Sequence, residues 1–336
     1  MKALRAETAD AGDLYGDRLI RSIYIGGGTP SYIEEGYIRL LMDLLREVFE
    51  VADDAEISIE VNPGSADEKK LSGYRRAGIN RLSIGLQSFD DIELNTLGRI
   101  HTSADFLKTY EGALQAGFDN INVDIISAVP GQTLSSYERT LRRVCDLAPA
   151  HISAYSLQLE EGTYMYEHQD EYEWIDEDTD REMYHMTKQI LSEYGYERYE
   201  ISNYAKPGFS CAHNIRYWTG GEYLGIGLGA ASLMGDERLK NTEELLAYLC
   251  GERCVQSIRL STEDKMEEYM FLGLRMMSGV SISRFEEMFG TGIRDVYGKQ
   301  LEELKDNGLI CLEEDRIYLS DRGIDISNYC LAKFIV

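Results

Sequence analysis

Ile23-Tyr24-Ile25-Gly26-Gly27-Gly28-Thr29-Pro30-Ser31 decides the fold of this chain. An apolar run with β-branched residues ends in three glycines, and helix-period sequence follows. The stretch therefore predicts a buried strand that opens into a bare backbone loop. Glycines there let main-chain N–H and C=O groups approach a ligand with no side chain in the way. The same residues also read as an ordinary tight turn between a strand and a helix.

Working outward, a helix is expected upstream from about Lys2 to Leu14. A second is expected downstream over Glu34 to Glu50, where Ile38, Leu41, Leu45 and Val48 recur at helical spacing. Four more strand–helix units follow. Their strands are Glu56–Val61, Arg81–Gln87, Asn120–Ile126 and His151–Leu157, and the helices between them start near Asp67, Asp90, Ser103, Ser135 and Asp180. Alternation at this spacing means parallel strands joined by right-handed crossovers, in an open sheet or a barrel. Gly27 to Thr29, Glu60, Gln87 and Asp124 then fall at the C-terminal ends of successive strands, the edge where parallel α/β folds bind ligands. Taken singly, each acidic residue also reads as a cap or a solvated loop residue.

Composition narrows the function classes. The 336 residues are 43% hydrophobic and carry a formal net charge of −25, with no apolar run of membrane-spanning length. Nucleic acid and anionic membrane surfaces need clustered Lys and Arg, so neither is an expected partner. The N-terminus lacks a hydrophobic signal core, which predicts a cytoplasmic protein. Six cysteines scattered over a chain this long suit reduced thiols rather than a disulfide scaffold.

The series IYIGGGTPS, IEVNPG, SIGLQSF, LGRIHT, NVDIISAVPGQT and AYSLQLEEGT resembles the radical S-adenosylmethionine proteins related to oxygen-independent coproporphyrinogen III oxidase. Within that group it is most similar to the HemW branch, regarded as heme chaperones. The resemblance spans nearly the whole chain. It implies a partial (β/α) TIM-like barrel with S-adenosylmethionine lying across the strand ends. Gly27, Gly28 and Thr29 would then meet the methionine end of the cofactor beside Glu60, while Gln87, Arg99 and Asp124 complete its ribose and carboxylate contacts. The chemistry is consistent, since carboxylates accept from ammonium and hydroxyl groups and a guanidinium forks onto a carboxylate. Arg99 also reads as a partner for a surface carboxylate.

The resemblance further implies a 4Fe-4S cluster on a C-x3-C-x2-C loop after the first barrel strand. This sequence contains no such loop; its closest spacing, Cys250 to Cys254, lies after the barrel region. The expectation is a barrel lacking its first strand, an unpaired edge beside Ile23 to Gly26, and no generation of a 5′-deoxyadenosyl radical. No catalytic residue is assigned.

Further along, Cys211-Ala212-His213-Asn214-Ile215-Arg216-Tyr217-Trp218 carries an HNxxYW string similar to the one associated with heme binding in the HemW branch. His213 would supply an axial ligand to heme iron, with Tyr217 and Trp218 flanking the macrocycle. The bland reading makes them interior residues, and Cys211 is a rival ligand. After Met234 the sequence turns charged, and 235–261 is expected to be a linker. Residues 262–336 show helix, helix, helix and hairpin, a winged-helix-like α+β domain whose acidic cluster does not suit DNA. The barrel domain is thus expected over 1–234. Two function classes remain. One is a heme chaperone passing heme to an acceptor protein; the other is a radical enzyme of the coproporphyrinogen oxidase type. An inactive fragment is a third outcome.

Overall fold

A computed structural model describes residues 1–335 of the chain. In chain order the elements begin with α1 (Lys2–Tyr15), β1 (Leu19–Ile25), α2 (Glu35–Val48), β2 (Glu50–Val61), α3 (Glu68–Arg76) and β3 (Arg81–Gln87). They continue with α4 (Asp91–Thr96), α5 (Ser103–Gln115), β4 (Asn120–Ser127), α6 (Leu134–Asp146), β5 (His151–Ser156), α7 (Tyr164–Glu167) and α8 (Glu177–Glu193). After these come β6 (Glu197–Arg198), β7 (Asn203–Ala205), α9 (Ala212–Trp218), β8 (Ala231–Met234), β9 (Glu237–Asn241), α10 (Leu245–Leu249) and β10 (Cys254–Arg259). The last are α11 (Thr262–Gly273), β11 (Val280–Ser281), α12 (Ile282–Phe289), α13 (Ile293–Asp306), β12 (Ile310–Glu313), β13 (Arg316–Leu319), α14 (Asp321–Asp325) and α15 (Ser327–Ala332).

The chain divides into two compact units. One comprises 19–198 and 202–210 and holds a seven-stranded sheet, ordered β1-β2-β3-β4-β5-β7-β6, that curls into a half-barrel. Strands β1 to β5 run parallel, and β7 and β6 close the far end antiparallel. β1 stands at the other edge, as expected. Period-2 alternation sorts the side chains. Ile59, Leu82, Ile84, Val123, Ile125 and Ile152 point into the apolar layer under the helices, where each is fully buried or nearly so. The other face carries Ser58, Glu60, Ser83, Asn122, Asp124, His151 and Ser153. β2 is longer than the apolar pattern indicates because its first residues include the exposed Asp53 and Asp54 and a register shift against β1.

The second unit comprises 1–18, 199–201 and 211–336, which corrects the expected 1–234 boundary. The cause is a carboxylate in α1. Glu7 is buried and accepts hydrogen bonds from the Gly227 N–H, from Asn241 Nδ2 and from the Tyr248 hydroxyl. A buried charge with three donors is satisfied only while those elements stay together. The 235–261 stretch is likewise not a linker. β9 and β10 form an antiparallel three-stranded sheet with β8, ordered β10-β9-β8. Every β10 residue is exposed, so no apolar alternation marked it. The C-terminal part is a winged helix as expected, with one strand beyond the hairpin: β11 pairs with β13 in the order β11-β13-β12. No helix among the described residues is long and apolar enough to cross a membrane.

Candidate functional site

The strand ends of the seven-stranded sheet converge on one cavity. Gly28, Thr29, Glu60, Gln87, Arg99 and Asp124 line it, six of the seven residues expected from the sequence. The seventh, Gly27, is tied to it by its N–H, which donates to Glu60 Oε2 at 3.2 Å. Gly27 and Gly28 take φ of +82° and +61°, left-handed values that favour glycine, so the loop turns over the end of β1 with bare backbone. Gly26 is tight for a different reason: a Cβ there would lie 2.8 Å from the Tyr24 ring and 2.9 Å from Glu60 Oε1.

Asn62, in the IEVNPG stretch, is the connector. Its Nδ2 donates to Thr29 Oγ1 at 3.2 Å, and its Oδ1 accepts from Arg99 Nη2 at 2.9 Å. Its backbone N–H donates to Ser31 Oγ at 3.0 Å, and Ser31 is fully buried. One side chain thus fixes the glycine loop and the guanidinium together. The signal was its place one residue past β2, where an amide offers both a donor and an acceptor. Gly85 was missed as well. A Cβ there would stand 2.7 Å from Gln87 Nε2 and 3.3 Å from Arg99 Nη2, so the bare backbone leaves room for both.

The electrostatics leave the cavity short of positive charge around Glu60. Burial pushes its carboxyl above the ordinary 4.5; hydrogen bonds from Tyr24 and Gly27 pull it down, and Asp124 pushes it up. The Tyr24 hydroxyl donates to Glu60 Oε1 at 3.1 Å. Burial lowers Arg99 from 12.5, while Asp124 and Tyr32 oppose that shift. An ammonium group suits Glu60, and a carboxylate suits Arg99. Asp124 accepts from Ser83, Asn122 and Tyr155, which fix its orientation at the rim. This donor and acceptor set fits an amino acid joined to a nucleoside.

The residues expected from the sequence to meet heme, His213, Tyr217 and Trp218, lie together on the seven-residue α9. His213 Nε2 is 3.2 Å from the Tyr217 hydroxyl, and the two rings meet edge-on at 5.0 Å. Tyr217 packs in turn on Tyr223 at 4.5 Å. The Arg275 guanidinium covers Trp218 at 4.4 Å, and the indole Nε1 is buried with no hydrogen-bond partner. A half-buried imidazole, edge-packed aromatic rings and an unsatisfied N–H donor fit a porphyrin bearing acidic substituents. Cys211 is fully buried at the N-cap of α9.

A family profile described as the Radical SAM superfamily matches residues 6–144, and one described as the HemN C-terminal domain matches 260–326. The chain is 35% identical to a heme chaperone HemW of Lactococcus lactis, over 94% of this chain and 85% of that protein. The chain belongs to the HemW family of radical SAM proteins. A HemW relative from Bacillus subtilis is 34% identical over 100% of this chain and 90% of its own. The fold matches that of the Escherichia coli coproporphyrinogen III oxidase HemN, a radical SAM enzyme, with a TM-score of 0.87 at 26% identity. That match covers 99% of this chain and 82% of the other. Membership in the family implies S-adenosylmethionine and a 4Fe-4S cluster. The cavity residues fit the first. Among the described residues, no group of three or more His, Cys, Asp or Glu side chains is placed to hold a metal ion.

Proposed function

We propose that this chain is a heme chaperone that binds S-adenosylmethionine at the strand ends and heme at α9, and passes heme to an acceptor protein. The observation that carries the reading is the convergence of Gly27, Glu60, Asn62, Arg99 and Asp124, in a chain of HemW ancestry. Glu60 receives the α-ammonium group, Arg99 the α-carboxylate, and Asp124 the ribose hydroxyls. When bound, S-adenosylmethionine supplies the cationic, zwitterion-ended nucleoside that these three side chains are charged to receive. Thr29 and Asn62, hydrogen-bonded to each other, hold the glycine loop against it. Heme is the cargo. His213 ligates its iron after release of the Tyr217 hydroxyl, and Trp218 and Arg275 address its propionates.

The test is a heme titration followed by Soret absorbance, and then mixing of the loaded protein with an apo-hemoprotein. The reading expects a ligated-heme spectrum that moves to the acceptor. Free-heme spectra throughout would remove the chaperone reading.

A further inference from the structure

Beneath the strand-end cavity, the inward side chains of β3, β4 and β5 form a buried polar column with Asn122 at its centre. The register sets Asn122 level with Ser83 on one side and His151 on the other. All three are buried, His151 completely. The Asn122 amide uses its whole capacity. Nδ2 donates to Ser83 Oγ and to Asp124 Oδ1, both at 2.8 Å. Oδ1 accepts from Ser153 Oγ at 3.0 Å and lies 2.6 Å from His151 Nδ1. The chain of contacts ends at Asp124, whose Oδ2 accepts from Ser83 Oγ at 3.1 Å.

The direction of these bonds follows from chemistry. Both Asp124 carboxylate oxygens act as acceptors, Oδ2 from Ser83 Oγ and Oδ1 from the Tyr155 hydroxyl, so the amide edge facing Asp124 is the NH2 edge. The opposite edge is then the carbonyl oxygen, which only accepts, and His151 must carry its proton on Nδ1. Burial and the nearby Arg81 hold the imidazole well below its ordinary 6.5, so the ring is neutral and a single tautomer is specified. A flipped amide would set its carbonyl oxygen against the Asp124 carboxylate, acceptor against acceptor. The network has one consistent state.

We propose that His151 is a positioning residue for the nucleoside end of the site. By donating from Nδ1 it locks the Asn122 amide, and the amide in turn holds the Asp124 carboxylate in the rotamer that meets the ribose. The proposal rests on the reading of Asp124 as an S-adenosylmethionine ligand. A buried imidazole in place of an apolar residue carries a desolvation cost, which a packing role would not require.

Two measurements test it on the full chain. Long-range proton–nitrogen correlation spectra of the ligand-free protein, assigned against His151→Asn, should show His151 neutral and protonated on Nδ1. The Nε2-protonated tautomer or an imidazolium overturns the proposal without any binding experiment. S-adenosylmethionine is then titrated calorimetrically into wild type, His151→Leu and His151→Asn, with thermal melts alongside. The Leu variant should bind roughly tenfold more weakly, and the Asn variant, whose amide nitrogen takes the place of Nδ1, within about twofold of wild type. Equal affinity in all three overturns the positioning role and leaves the site reading standing. No binding to wild type overturns both.

Discussion

At the strand ends, Gly27, Glu60, Asn62, Arg99 and Asp124 come from several elements spread over about a hundred residues, and the parallel sheet brings them together. At α9, His213, Tyr217 and Trp218 come from one seven-residue helix, and His213 and Tyr217 meet at i,i+4 spacing without help from the fold. The first arrangement is held by backbone register and cross-strand hydrogen bonds, so its geometry is set before a ligand arrives. The second has a ring nitrogen already facing a neighbouring hydroxyl, so ligation exchanges one contact for another. A preorganised site and an exchanging one should respond differently to mutation.

The largest effect is expected at α9. His213→Ala should abolish the ligated-heme Soret band, whereas Cys211→Ala, whose thiol is buried, should leave it unchanged. Loss of the band in the cysteine variant alone would reverse the assignment. Next, Asp124→Ala strips an acceptor from Ser83, Asn122 and Tyr155 and should weaken S-adenosylmethionine binding roughly a hundredfold. The Soret titration of that variant should be untouched. Coupled losses would mean that the two regions do not act separately.

Gly85→Ala is a finer probe, because its Cβ crowds Gln87 and Arg99 in a chain that otherwise keeps its fold. Roughly tenfold weaker S-adenosylmethionine binding with an unchanged melt is expected; unchanged binding would show that these side chains move aside freely. The smallest effect is one of pH. The Glu60 carboxyl is raised above 4.5, and a cation binds only its ionised form, so affinity should tighten as pH rises through a midpoint above that value. The stability linkage has the opposite sign. Folding disfavours the ionised form, so the Glu60 contribution is fully present below 4.5 and is lost as pH rises through the raised value. Glu60→Gln should therefore melt slightly higher than wild type near neutral pH while binding less. A lower melting temperature would mean that the Gly27 and Tyr24 contacts outweigh burial.

The two regions also differ in how they are written in the sequence. The parallel strands were legible because Arg81–Gln87 and Asn120–Ser127 bury one face against helices, which imposes a pattern on consecutive residues. Glu60 and Asp124 were legible as polar residues placed where the apolar pattern ends. Asn62 was not, since Asn-Pro-Gly is also a turn, and nothing local says that its amide spans Thr29 and Arg99. The domain boundary was hidden for a related reason. Glu7 meets Gly227, Asn241 and Tyr248 from more than two hundred residues away, so α1 reads as an ordinary leading helix. β10 escaped because a fully exposed strand has no buried face to set a period. His213 was legible as a string, but the Arg275 that covers Trp218 is far away in sequence.

In the proposed reading, the strand-end cavity recognises the amino-acid end of S-adenosylmethionine through Glu60. Calorimetric titration of the wild-type chain with S-adenosylmethionine, and with an analogue lacking the α-amino group, tests it directly. Saturable one-site binding is expected, with a clear loss of affinity for the analogue that disappears in Glu60→Gln. Equal affinity for the two ligands, or no binding of either, would contradict it.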